Sequence, residues 1–415
     1  MPTVTVAGAH SQTVTLNFDS QANAVLASKL AAAITAGVDS GAIVPAVDTD
    51  GPPPALPSGK IGEFVQTQSG PTILPHGYKA YVDTAPDAIV FGSGDKDESV
   101  LSSTGNLRFF ASAGSGTVAA GGGDNFFFLA PTDKGSWSIN TGNGNDNVFA
   151  LGSGNDTINT GGGQNHIVLG DGHDRVLSSG HDIVTAAAGQ ETILASGNYS
   201  DRIDGNASRL FFVGSTGSAT VFGGSGSDTF TGGSGPDYVQ GGSAGKNLLV
   251  GGSGLATLIG GGDGDQLFAG GSIGQLLKAG HGNETLVGGF GSDTFYGGSG
   301  SSAQIIGGAG NDTFVSAGGI ATVTAGSASN LFLFVKSHPG GSEVINGYIS
   351  GLDQIGLEGF GSKEAKHALD SQKTVDGSTT ITLSDHTKVT FVGVSGLSDS
   401  DFVSIGKTDF KPPHS

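Results

Sequence analysis

The sequence contains no cysteine, so neither a disulfide framework nor a thiolate metal site is open to it. Basic residues are scarce: 18 Lys and Arg stand against 37 Asp and Glu, for a net charge of −19. A surface of that sign repels nucleic acid and anionic membranes, which are both bound through basic patches. No run of about 18 apolar residues occurs, so neither a transmembrane helix nor membrane insertion is expected. The start, MPTVTVAGAHSQTVTLNF, lacks the basic and apolar regions of a cleavable signal peptide. If the chain is exported, the expected route is one that does not read the N-terminus. Charged residues are only 13% of the chain, yet 23 Phe argue against disorder, because a disordered chain is charged and poor in large apolar residues.

Two residues are in excess. Glycine numbers 76, without the three-residue period of collagen, and Asp outnumbers Glu by 30 to 7. Asp, unlike Glu, favours turns and hard-cation sites, so the chain should attract divalent cations.

Residues 3–17 alternate apolar and polar as in a β-hairpin. Asp19 or Ser20 is a plausible N-cap for a helix over about 21–37, with Leu26, Leu30, Ala33 and Ile34 on one face and Gly37 at its end. Residues 1–43 thus read as an N-terminal strand–helix module and a candidate contact between subunits. Residues 44–60 carry Pro45, Pro52, Pro53, Pro54 and Pro57 and read as an extended linker. From 61 to about 335, short apolar triplets alternate with Gly-rich turns. Residues 336–415 return to ordinary alternating strands, a closing segment.

The central stretch is a repeat. G-x-G-x-D occurs at 142–146, 152–156, 170–174, 224–228, 233–237, 289–293 and 308–312, where composition alone gives about one match. Two residues after each Asp stands Val148, Ile158, Val176, Phe230, Val239, Phe295 or Phe314. The spacing is nine residues, with occasional eights and tens. Asn125, Asn165 and Glu284 are near matches in which only the acid is changed. A first array spans about 87–194 and a second 223–315. In 195–222 the motif lapses, although apolar triplets at 210–212 and 220–222 favour continuation of the coil.

Six residues of Gly, Ser, Asn and Asp make a turn, and the next three make a strand whose middle residue points inward. Nine residues are then half a coil, and residues about 18 apart stack ~4.8 Å away on the same side. Stacked turns direct carbonyl oxygens into the gap between them, and Asp carboxylates close it, giving the six or more hard oxygens that suit Ca²⁺, whereas Mg²⁺ demands a tighter octahedron.

These units resemble the RTX (repeats-in-toxin) nonapeptide GGxGxDxUx over some 200–250 residues. The resemblance implies an all-β-dominated fold, a right-handed parallel β-roll or β-solenoid loaded with Ca²⁺, with a small N-terminal α+β module and a C-terminal β closing segment. By that resemblance one metal site pairs Gly152, Gly154 and Asp156 with Gly170, Gly172 and Asp174. Another pairs Gly289, Gly291 and Asp293 with Gly308, Gly310 and Asp312. Asp146 faces Asn165 in a weaker site, and Asp228 and Asp237 are further ligands. Lys246 is placed one coil after Asp228 and Ala256 one coil after Asp237. The Lys246 ammonium is a candidate substitute for an ion between Asp228 and the Asp265 turn, although an exposed Lys on a degenerate turn is the stronger reading, since long Lys side chains usually reach water. The resemblance also implies export by type I secretion, although the final KPPHS departs from an apolar tail.

Catalytic alternatives find little support. No HExxH occurs. GGSAG (241–245) and GGSIG (270–274) fit G-x-S-x-G but lie in nonapeptide turns, without the strand–elbow–helix context of a nucleophile. His166, His173 and His181 cluster near Asp171, Asp174 and Asp182, as in a solenoid polysaccharide lyase or epimerase, but solvated turn residues explain them better, because His and Asp are common in such turns. Irregular Thr spacing disfavours an ice-binding face. Trp137 and Phe126–Phe128 read as core or cap rather than as sugar platforms. The expected function is therefore a non-enzymatic, secreted, Ca²⁺-stabilised structural protein of the cell surface or extracellular matrix. It would self-assemble as a surface layer or filament, with an adhesin or glycan-binding role as the alternative.

Overall fold

The structure, a computed structural model, describes residues 1–111, 113–298, 302–336 and 338–405. The final KPPHS lies outside the described residues. The chain divides into two compact units, residues 1–211 and 212–415.

In the first unit, Thr3–Ala7 and Thr13–Asn17 form the antiparallel hairpin that the alternation predicts. Helix α1 (Gln21–Asp39) follows, and the Ser20 side chain caps it by accepting from the Asn23 N–H at 3.2 Å. Ile43–Val47 is already a strand, paired in parallel with Ile61–Gln66, so the Pro-rich stretch is not linker throughout. Pro45 sits on this first strand, where a missing N–H is tolerated at a sheet edge. Beyond it the chain winds into two parallel sheets, each strand pairing with the strand one coil away. Val118, Ile139, Ile158, Val176 and Ile193 stack in register inside one sheet. Val90, Phe109, Phe127, Val148, Ile167, Val184 and Ile203 stack inside the other. Trp137 is core, as expected, and so is Phe127, but Phe126 and Phe128 alternate with it and face outward.

The buried face of α1 differs from the expected one. Ala24, Ala27, Ala31 and Ile34 are buried, Leu26 and Leu30 only flank them, and Ala33 is exposed. The small alanines let the helix lie close on the outer face of the sheet, against Val65, Ala80, Val82, Leu101 and Ala119. Polar ties fix it there. The Asp19 N–H donates to Gly121 O at 2.9 Å, Asp19 Oδ2 accepts from the Asn143 N–H at 2.6 Å, and Asn23 Nδ2 donates to Ala120 O at 3.0 Å. The apolar face of α1 is therefore covered within the chain.

The second unit repeats the two-sheet coil. Val221, Val239, Leu258, Leu277, Phe295, Phe314, Phe332 and Ile355 form one inner stack. Its phenyl rings lie face to face, 5.2 Å apart for Phe295–Phe314 and 5.1 Å for Phe314–Phe332. The closing segment contributes Ser342–Asn346 and Gln354–Glu358 to the coil, then helix α2 (Glu364–Ser371). Strands Lys373–Val375, Ser378–Thr382 and Lys388–Val392 then form an antiparallel meander. All seven residues expected to point inward from the repeats are buried.

Candidate metal centre in the stacked turns

Each acid of the repeat stands two residues before a core side chain, at the point where the turn enters the strand. Its own side chain is turned back under the turn and buried. There one carboxylate oxygen accepts the backbone N–H of the corresponding residue one coil earlier. Asp156 Oδ1 accepts from Trp137 at 2.8 Å, Asp174 Oδ1 from Asp156 at 2.7 Å, and Glu191 Oε2 from Asp174 at 3.1 Å. On the other side of the same coils the ladder runs through Asn125, Asp146 and Asn165, with rungs of 2.8 and 2.9 Å. It continues through Asp182 to Asp201. In the second unit, Asp293 Oδ1 accepts from Gln275 at 2.7 Å and Asp312 Oδ1 from Asp293 at 2.8 Å. Asn330 and Asp353 extend that ladder.

The two expected acid pairs, Asp156 with Asp174 and Asp293 with Asp312, are thus brought together, and Asp146 meets Asn165. Asp237 accepts from the Ala219 N–H at 3.0 Å and aligns with Ala256. The glycines have a steric reason. A Cβ on Gly172 would lie 1.9 Å from Gly154 O and 2.8 Å from Asp174 Oδ1, and one on Gly310 would lie 1.8 Å from Gly291 O. A side chain at either place would fill the oxygen-lined gap between turns.

The ladder uses only one oxygen of each carboxylate. The second oxygens of Asp146, Asp237 and Asp312 are buried without a hydrogen-bond partner. Burial pushes the carboxyls of Asp146, Asp156 and Asp312 up to about 7, and those of Asp174 and Asp237 up to about 6. Burial raises Asp293 as well. A buried carboxylate oxygen left unmatched is costly, and a hard cation among carbonyls and carboxylates is the ligand that these donors fit.

Lys246 does not take the place expected of it. Thr229 pairs with Leu248, so Asn247, not Lys246, lies one coil after Asp228. Asn247 Oδ1 accepts from the Asp228 N–H at 2.7 Å, whereas Lys246 is exposed in a left-handed turn with φ 59°. Its ammonium therefore does not occupy the gap. Sequence reasoning also passed over Asp182, Glu191, Asp201, Gln275, Asn330 and Asp353. A signal for them exists: each stands two residues before a buried core residue.

The residues of the catalytic alternatives are placed as follows. GGSAG and GGSIG lie between strands 237–240 and 248–250, and 266–268 and 276–278, with no helix following. Asp174 and Asp182 are committed to the ladders, while His166 packs edge-on to Phe149 and His181 edge-on to Tyr199, on the outside.

No curated protein matches the chain significantly. The family model of the RTX calcium-binding nonapeptide repeat matches it in four copies, over residues 141–176, 213–243, 279–301 and 304–323. These segments contain all seven G-x-G-x-D turns, and the Gly-rich coils of this chain carry an array of RTX nonapeptide repeats.

Proposed function

We propose that this chain is a secreted, calcium-stabilised structural protein, without enzymatic activity, that works at the cell surface or in the extracellular matrix and assembles with copies of itself. The observation that carries the calcium part is the stacking of acids one coil apart beside turn carbonyls, with a second carboxylate oxygen buried and unmatched at Asp146, Asp237 and Asp312. Asp156 with Asp174 and Asp293 with Asp312 would hold the ion, together with carbonyls of the turns that contain them. Asp146, Asp228 and Asp237 would hold it with fewer charges. Bound Ca²⁺ would supply the positive charge that these desolvated carboxylates lack. Because ligands must lose protons and the cage exists only in the folded chain, binding and folding are coupled. A chain kept where Ca²⁺ is scarce would stay loose, and would fold on reaching an outside rich in Ca²⁺. Export by a type I route fits that order of events. Among the described residues no helix is long and apolar enough to cross a membrane.

Self-assembly is supported by an outward stripe in the first unit. Ile73, Phe91, Phe110, Phe128, Phe149 and Val168 follow one another in register across six strands, with no charge among them. Ile73 is 71% exposed and Phe91 42%. A ladder with one fixed spacing is complementary to a second copy of itself, which suits an isologous pairing of two chains, and a second contact would extend such pairs into a layer or filament.

One observation favours the alternative, a glycan-binding adhesin. A groove of about 740 Å³ in the second unit is lined by Phe222, Gln240, Lys278, His281, Tyr296 and His338, and no Asp or Glu appears among its described lining residues. In so acidic a chain, that suits an anionic sugar polymer.

Adding Ca²⁺ to chelated protein while following circular dichroism and light scattering separates these readings. Folding with growth into ordered assemblies is the expected result. Folding to a lasting monomer would favour the adhesin, and a glycan screen would then decide it. No change on adding Ca²⁺ would remove the calcium reading.

A further inference from the structure

Five ladder positions carry an amide instead of an acid: Asn125, Asn165, Asn247, Gln275 and Asn330. All five are at most 2% exposed. Four of them keep the rung through the amide oxygen: Asn125 accepts from Leu107 at 3.0 Å, Asn165 from Asp146 at 2.9 Å, Asn247 from Asp228 at 2.7 Å and Asn330 from Asp312 at 3.0 Å. What differs from the acids is the other end of the group. Where an acid has a second oxygen, the amide has an NH₂, and it is aimed into the gap.

Gln275 is the clearest case. The strand before it places Ala256 at the acid position, so this gap has no carboxylate of its own. The longer Gln275 side chain reaches across, and its Nε2 donates to Gly252 O at 2.8 Å, Gly254 O at 3.0 Å and Gly270 O at 3.0 Å. Three carbonyls from two successive turns converge on one nitrogen. Asn125 Nδ2 reaches Gly123 O at 2.9 Å and Thr141 O at 3.0 Å. Asn247 Nδ2 reaches Gly242 O at 2.7 Å and Asp265 Oδ1 at 2.9 Å. Asn330 Nδ2 reaches Ala328 O at 2.9 Å and Asp353 Oδ1 at 3.2 Å, and Asn165 Nδ2 reaches Asp182 Oδ1 at 2.7 Å.

Converging carbonyl and carboxylate oxygens are the donor set of a hard cation. A side-chain amide can satisfy such a set without charge, because it carries two donors on one atom and an acceptor beside them. The acid-bearing turns show the complement, with the buried oxygens of Asp146, Asp237 and Asp312 unmatched. We infer that these amides are resident substitutes for the cation, so that the gaps their NH₂ groups enter close without an ion, and calcium is left to gaps into which a carboxylate oxygen is turned instead. The inference rests on the calcium reading above and divides the array into calcium-dependent and calcium-independent turns.

The test restores the acid. Gln275→Glu is isosteric with the native side chain, and Asn247→Asp places three acids in succession at 228, 247 and 265. Each full-length variant is equilibrated with Ca²⁺, its bound metal counted by elemental analysis, and its melting followed with Ca²⁺ and with chelator. Each is expected to hold one more ion than the parent chain. In chelator each should melt lower than the parent by about 5 °C or more, the difference shrinking once Ca²⁺ is added. A variant that folds only with Ca²⁺ supports the inference, and one that folds in neither condition counts against it, because the added acid has then found no ion. Lys246→Ala should change neither the count nor the melting. If the parent holds calcium and both acid variants hold no more of it, the amides are not substitutes and the inference falls alone. A parent that holds no calcium overturns this inference and the calcium reading together.

Discussion

The coils at residues 61–120 and those at 289–335 share one pairing pattern but are held in different ways. In the first, one of the two sheets is buried on both faces. Phe64, Tyr81, Val100 and Val118 fill the inside, while Val65, Val82, Leu101 and Ala119 are roofed by α1. No G-x-G-x-D turn occurs there. In the second, Phe295, Phe314 and Phe332 fill the inside, the outward residues Thr294, Tyr296 and Thr313 are only partly covered, and Asp293, Asp312 and Asn330 bind the turns together. The contrast teaches that a short-stranded coil needs a second source of cohesion besides its core. An apolar roof serves one stretch, and ordered turns serve the other.

A charge under the roof should break the first stretch most severely. Ala27→Asp buries a carboxylate with no partner at a fully covered position and is expected to cost about 3–5 kcal/mol. Hydrogen exchange should show the loss at 61–120 and leave 289–335 protected. Protection falling equally in both would show that the two stretches do not differ as described.

Chelation should act in the opposite place. With Ca²⁺ at about a hundred times its dissociation constant, the ion contributes ~2.7 kcal/mol, and removing it should cost amides at 289–335 about a hundredfold in protection while those at 61–120 change little. Asp312→Asn sharpens the same point by a change of sign. It keeps an oxygen for the rung but gives up the ligand, so it should destabilise by about 1–3 kcal/mol in Ca²⁺ and be neutral or stabilising in chelator. Paired denaturant titrations check it.

The smallest effect concerns pH. Glu63 is buried in the first stretch with both oxygens unpartnered, and burial pushes its carboxyl up to about 8 from the ordinary 4.5. Between those values the folded chain keeps a proton that the unfolded chain has released. Stability of the 61–120 stretch should therefore fall as pH rises from about 4.5 to 8 and then level off. Glu63→Gln should flatten that profile and gain about 1–3 kcal/mol above pH 8, read from melts at each pH in chelator. An unchanged slope would mean that another group sets it.

Much of this was legible in the sequence, because strand and turn alternate within nine residues and both signals are local. The inward Val148 and Phe295, the hairpin at 3–17 and the acid pairs 156/174 and 293/312 needed only counting. What failed was counting from the glycines where a unit is longer. GGSAGKNLLV has ten residues, and counting from its first glycine puts Lys246 at the acid position. Counting back two from the core residue Leu249 puts Asn247 there, and from Leu277 it gives Gln275. The core sets the register, and the turn absorbs the extra residue. The face of α1 was misjudged for a related reason. Leucines mark where a helix can bury area, but the flat sheet beneath this one accepted the alanines.

The rungs also have a direction. In each, the backbone N–H belongs to an earlier coil and the accepting side chain to a later one, as in Asp156 to Asp174 and Asp293 to Asp312. A coil laid down from the N-terminal side waits, with its turn unfinished, for the next stretch of chain. A coil added from the C-terminal side meets an acceptor already held in place. The stack is therefore a template that reads in one sense, and the end that reaches calcium first decides whether each new coil is guided or must wait.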